Sequence, residues 1–134
     1  MKATLTEFIS SNDPGLNNMY INKDTFEITN SSDIGSFQVD DLIAEVIQKL
    51  NIKGYRTAFC CSGHYDSKYR PERAYIEFQF GEITPEYLPN GWCWEHDGHM
   101  EYKYVSTDAG ELKEEISSIM EKARQWVDTL PSTK

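Results

Sequence analysis

The sequence predicts an α+β domain: a mainly antiparallel sheet of about four to six strands with two long amphipathic helices packed on one face. Three observations carry this reading. Segments 39–50 and 112–127 space their apolar residues for one face of a helix. Segment 73–80 alternates apolar and polar residues with the period of a strand. Asp97-Gly98, flanked by β-forming residues, is a strong hairpin signal.

The elements follow in order. Residues 1–35 read as a loop-rich N-terminal part and 36–134 as the core of a single domain spanning 1–134. Residues 9–17 are turn-rich. Segments 19–22 and 25–28 suggest a small hairpin turned at Lys23-Asp24, and 30–36 returns to loop. In the first helix Val39, Leu42, Ile43, Val46, Ile47 and Leu50 share a face. Asp40 and Asp41 suit its positive N-terminal end, and Gly54 can take the left-handed conformation that stops it. Residues 55–61 are rich in β-formers. Residues 62–71 are polar, carry Gly63 and Pro71, and read as loop.

Along 73–80, Ala74, Ile76, Phe78 and Phe80 face one way and Tyr75, Glu77 and Gln79 the other. Residues 84–88 suggest one helical turn before Pro89-Asn90-Gly91. Segments 92–96 and 99–105 form the hairpin. Its turn sets His96 opposite His99, Trp94 opposite Glu101 and Cys93 opposite Tyr102. One face then carries Trp92, Trp94, His96, His99, Glu101 and Lys103. The other carries Cys93, Glu95, Met100, Tyr102 and Tyr104. Asp108 and Glu111 make a capping pair for the last helix. Its stripe is Leu112, Ile116, Ile119, Met120, Ala123 and Val127, and Pro131 stops it.

At 134 residues with net charge −9, the chain is long enough for a core without metal or disulfide staples. The acidic balance opposes phosphate backbones and anionic membranes. Nucleic acid is therefore a disfavoured partner, a membrane is excluded, and a protein partner stays open. The local basic set Lys53, Arg56, Lys68, Arg70 and Arg73 flanks the Cys60-Cys61-Ser62-Gly63-His64 loop and suits a small anion. The first residues lack the apolar run of a signal peptide. With three cysteines, two of them adjacent, the sequence reads as that of a cytoplasmic protein.

Three chemistries are open to the loop and hairpin. Cys61 and His64 are candidate catalytic residues as a thiolate–imidazole pair, with Asp66 orienting the ring. Strand alternation puts only one of Cys60 and Cys61 toward the core. For metal, Cys61-x-x-His64 and Cys93-x-x-His96 have zinc spacing. On an extended strand, however, Cys93 and His96 diverge unless a bulge intervenes, and Cys93 reads as a small buried residue. His96 and His99, paired across the hairpin near Glu101, join His64 as an alternative metal set. For a small ligand, Ser62-Gly63-His64 offers backbone N–H groups, a hydroxyl and an imidazole. Arg56 and Arg73 add charge, and Trp92, Trp94, Tyr65 and Tyr69 add flat surfaces. The plainer alternatives are a structural loop over an aromatic core and two exposed histidines at a turn.

The stretch Leu50-Asn51-Ile52-Lys53-Gly54-Tyr55-Arg56-Thr57-Ala58-Phe59-Cys60-Cys61-Ser62-Gly63-His64, followed by Ala74-Tyr75-Ile76-Glu77-Phe78, resembles small uncharacterised proteins of Gram-positive bacteria and their phages. That resemblance spans 39–80 and implies no agreed activity. Thr57 to His64 also resembles the Ser-Cys-Ser-Gly-Arg loop of the wybutosine-synthesis methyltransferase family, which acts on transfer RNA. His64 stands where that family has arginine. This second resemblance implies that a strand ending in Cys-Ser-Gly and a polar residue can make a ligand pocket.

The expectation is a soluble small-ligand-binding protein for an anionic or nucleotide-like ligand. Its site would be Arg56, Cys61, Ser62, Gly63, His64, Arg73, Trp92 and Trp94. One alternative is a metal- or thiol-dependent enzyme using the same loop. A second is an acidic, phage-type protein-interaction module. The sequence names no cofactor and no oligomeric state.

Overall fold

The helix expected from Val39 begins five residues later, and the displaced residues build a second sheet. The structure, a computed structural model, describes residues 18–29, 35–64 and 72–133. The elements are β1 (Asn18–Asn22), β2 (Ile28–Thr29), β3 (Ser36–Asp40), α1 (Ala44–Ile52), β4 (Thr57–Cys61), β5 (Arg73–Phe78), β6 (Cys93–His96), β7 (His99–Lys103) and α2 (Ala109–Thr129). They form an α+β fold with two antiparallel sheets, ordered β2-β1-β3 and β4-β5-β7-β6. The single sheet expected from the sequence is thus two sheets among the described residues.

Val39 belongs to β3, opposite Met19 of β1. The short run Ser36-Phe37-Gln38-Val39 alternates, and pairing with β1 wins over helical periodicity. The Asp40 carboxylate then turns the chain. Its Oδ1 accepts the N–H groups of Leu42 and Ile43, each at 3.2 Å. Gly54, at φ +102°, ends α1: Tyr55 N–H reaches Leu50 O and Gly54 N–H reaches Asn51 O. Residues 18–29, read as part of a loop-rich stretch, contribute the buried Met19, Ile21, Phe26 and Ile28.

One core unites these elements. Val46, Ile47 and Leu50 of α1 meet Ile21 of β1, Ile76 of β5, Met100 of β7 and Leu112, Ile116 and Met120 of α2 in one cluster, all nearly inaccessible to solvent. Lys53 fastens the end of α2 to the glycine turn. Its Nζ donates to Val127 O at 2.7 Å and to Leu130 O at 2.6 Å. Asp108 caps α2 by accepting Glu111 N–H.

Several boundaries move. β4 starts at Thr57 because Tyr55 is buried with its hydroxyl on Pro131 O. β5 ends at Phe78; Gln79 N–H turns to Arg56 O, and Phe80 is fully exposed instead of facing the core. Residues 84–88 are not helical. They are tied to α2 through Tyr87 O, which accepts Trp126 Nε1–H.

The largest correction is in the hairpin. His96 does oppose His99, but Trp94 opposes Met100 and Cys93 opposes Glu101. Glu95 is an extra residue, a β-bulge, and everything before it shifts by one position. Trp94 thereby crosses to the side of Phe78 (6.1 Å between ring centroids) while staying partly exposed, and Trp92 is buried against Tyr102. Burying aromatic surface favours this register. Cys93 is exposed rather than buried. No helix among the described residues is long and apolar enough to cross a membrane.

Candidate functional site

The end of β4 shows what the Cys-Cys-Ser-Gly-His loop does locally. Cys60 opposes Ile76 on the core side, and Cys61 opposes Tyr75 on the outer side. Ser62 is buried; its N–H donates to Asp40 Oδ2 at 2.9 Å, and its carbonyl accepts the Tyr104 hydroxyl at 2.7 Å. Gly63 takes φ +102°, and a Cβ there would stand 2.7 Å from the Tyr104 ring, so only glycine fits. His64 N–H donates to Glu72 Oε1 at 2.9 Å. Gly63 N–H points at Cys61 Sγ. All three loop N–H groups are thus committed to protein acceptors, two of them carboxylates. A carboxylate-lined corner of this kind opposes an added anion.

His64 Nε2 lies 3.4 Å from Cys61 Sγ. The contact does not yield a thiolate. Burial, with the charges of Asp40 and Glu72, pushes the Cys61 thiol up to about 11, although Gly63 N–H works the other way. Burial raises Cys60 still further. Burial thus favours the protonated form of both sulfurs, which works against nucleophilic attack.

The other residues singled out in the sequence do not gather here. Arg56 lies over the Phe26 ring, 5.2 Å from its centroid, between the two sheets. Arg73 reaches Glu101 at 3.4 Å on the outer face of the second sheet. Trp92 and Trp94 are on the opposite side, with Tyr102 and Phe78. Lys53 is spent on the end of α2. Tyr65, Asp66, Lys68, Tyr69 and Arg70 lie outside the described residues.

Two hollows take the place of the single expected pocket. The first is a cleft of about 370 Å³ between the first sheet and β4. Lys23, Phe26, Phe37, Asn51, Arg56 and Thr57 line it, and none of its described lining residues is acidic. Asn51 forms part of its lining: its Nδ2 donates to Thr57 Oγ1 at 2.9 Å, and its Oδ1 accepts Thr57 N–H at 3.2 Å. The second hollow, of about 720 Å³, lies across β4. It is lined by Phe59, Glu77, Phe80, Glu82, His96 and Asp97 among others, with no lysine or arginine among the described lining residues.

At the rim of the second hollow, β5, β6 and β7 each project one polar group: Glu77, His96 and His99. One ligand atom from each lies within 4.8 Å of the other two. His99 is clasped between carboxylates, Nδ1 to Glu77 Oε1 at 2.9 Å and Nε2 to Glu101 Oε1 at 2.8 Å. Its ring stacks on His96 (4.7 Å) and on Tyr75 (5.4 Å). Burial opposes its charged form, but the bonds to Glu101 and Glu77 outweigh that and raise its pKa. Burial likewise opposes the Glu101 carboxylate, yet His99 and Arg73 hold its pKa below the ordinary value. His64 is not in this group; its ring lies on Cys61 instead. The sequence had marked Glu77 only as an outward residue, and Lys23 and Phe26 only as part of a hairpin.

No protein-family model, curated protein or solved structure matches the chain.

Proposed function

We propose that the protein binds a small, flat, anionic ligand of nucleotide-like chemistry in the Lys23–Arg56 cleft. One observation carries the reading. In a chain of net charge −9, the described lining of this cleft includes two cations and no carboxylate. At about 370 Å³ the cleft is within the range of small-molecule sites. Phe26 and Phe37 give it flat apolar surface, and Lys23, Arg56 and Gln79 supply polar groups for a ligand.

The Arg56 guanidinium rests over the Phe26 ring, a contact that lowers the entropy lost when it grips a carboxylate or phosphate. Phe26 itself sits at φ +60°, a conformation that non-glycine residues adopt only when the surroundings impose it. The turn that imposes it, through Phe26 N–H on Asn22 O, also brings Lys23 to the cleft. In this reading the Cys-Cys-Ser-Gly-His loop anchors β4 and does not touch the ligand. The chain acts as one domain, with both helices on the side of the shared core.

The test is a thermal-shift and calorimetric screen against nucleotides, phosphorylated metabolites and aromatic carboxylates. Binding raises the melting temperature by mass action. Arg56→Ala and Lys23→Ala should each weaken the best ligand about tenfold or more, the usual scale for a charged hydrogen bond. His64→Ala should leave it unchanged. No stabilisation by any member of the panel, or binding that survives both cation deletions, refutes the reading.

A further inference from the structure

We propose that Glu77, His96 and His99 form a binding site for one first-row divalent ion, of which zinc is the natural representative. The inference is independent of the cleft. It rests on the donor set, its spacing, its support and its position.

The donors are two imidazole nitrogens and one carboxylate oxygen, a set that suits zinc and its neighbours and leaves coordination positions open. Ligands about 2.0–2.1 Å from a tetrahedral zinc stand roughly 3.4 Å from one another. The three atoms here lie within 4.8 Å of one another, so an inward rotation of exposed His96 and a slight widening of the 2.9 Å contact between Glu77 and His99 complete the set.

The support is built in. A histidine that holds a metal through one nitrogen commonly donates its other N–H to a carboxylate, which fixes tautomer and ring plane. Glu101 occupies that place: it accepts from His99 Nε2 at 2.8 Å. It is one of the few buried charged residues among those described, and it lies on the outer face of the sheet. Arg73 donates to the same Glu101 oxygen at 3.4 Å. This leaves Nδ1 of His99 aimed at Glu77, and the ion would take the place of the proton between them.

The position is rigid and open. The three donors come from three adjacent strands, not from a loop. The Asp97-Gly98 turn is tied down by Phe78 N–H on Gly98 O at 2.7 Å. The bulge at Glu95 separates Trp94 from His96, so the indole packs on the side of Phe78 while the imidazole stays with His99. Glu77 and His96 both line the larger hollow, so an ion bound between them has a solvent-facing side. Glu82 and Asp97 line the same hollow and add negative potential that attracts a cation.

The experiment uses the full chain, stripped with EDTA and dialysed. Calorimetry with zinc should give one ion per chain at micromolar affinity or tighter. Cobalt substitution should give a visible spectrum without thiolate charge-transfer intensity. His96→Ala and Glu77→Gln should each weaken binding at least about tenfold, and Glu101→Gln about 10–100-fold, the usual cost of losing such a support. His64→Ala and Cys93→Ser should change nothing. His96 and Cys93 are exposed, so these variants keep the fold; circular dichroism verifies it. The proposal is overturned by absence of zinc and cobalt binding. It is overturned equally by binding that survives His96→Ala, or by binding that falls with His64→Ala or Cys93→Ser, which would put the ion on the thiols.

Discussion

The two hollows share one strand and differ in almost everything else. Ala58 and Gln79 line both. On one side of β4 the described charged lining is Lys23 and Arg56; on the other it is Glu77, Glu82 and Asp97, with His96. The cleft has a buried structural polar pair, Asn51 and Thr57, bonded to each other beneath the more accessible Lys23 and Arg56. The hollow's polar rim is half-buried or exposed and rests on a ladder of strands. An acidic chain has thus sorted its charges locally. Net charge predicts what the whole surface repels, while the two hollows present charged linings of opposite sign.

This contrast can be broken by experiment. The largest stability effect belongs to the cleft. Asn51→Ala strands Thr57 N–H in a buried place, and urea denaturation should show a loss of about 1–3 kcal/mol. Glu77→Gln, at the rim of the other hollow, should cost under ~1 kcal/mol, because its partner bond is partly solvated. Equal losses would mean that the rim is as structural as the cleft.

A smaller effect separates the two sides by pH. His99 has its pKa raised above 6.5, so its partnership with the carboxylates stabilises fully below 6.5 and is lost as pH climbs through the raised value. Glu101 has its pKa lowered from 4.5, so its share is present above 4.5 and lost as pH falls through the lowered value. In metal-free protein, the gap in urea midpoint between the natural chain and His99→Gln should be widest between these limits. A gap that does not narrow on the alkaline side contradicts the assignment of His99 as a cation between two carboxylates.

The smallest effect is kinetic and lies at the end of the shared strand. Exposed Cys93 should be alkylated first by iodoacetamide at neutral pH. Cys61 should gain reactivity only as pH approaches about 11. Peptide mapping by mass spectrometry gives the order, and rapid labelling of Cys61 at neutral pH would restore the thiol chemistry set aside above.

Legibility followed the range of the interaction. The stop of α1 at Gly54, the Asp108 cap and the His96–His99 pairing each depend on neighbours within a few residues, and each could be read from the sequence. Val39 could not, because a valine on the helical stripe equally suits a strand, and β1 decided between them from twenty positions away. Glu77 reaches His99 only because β5 pairs with β7, which the local pattern does not state. Lys23 and Arg56 line one cleft only because the first sheet packs beside β4. The tryptophans were placed on the wrong side for a different reason: a single unpaired residue alters the count on which alternation depends.

That residue has one more consequence. Glu95 is surplus to the ladder, with Trp94 and His96 already matched to Met100 and His99 on either side of it. A chain lacking it keeps both matches, and no neighbour changes sides. The first strand of the hairpin therefore has something like a reading frame with a spare position. Shortening at 95 costs the ion pair of Glu95 with Lys103 but no cross-strand match, whereas adding one residue just ahead of Trp94 inverts the side chains upstream of it. The count of residues ahead of Trp94, and not the presence of residue 95, is what holds the tryptophans on their side.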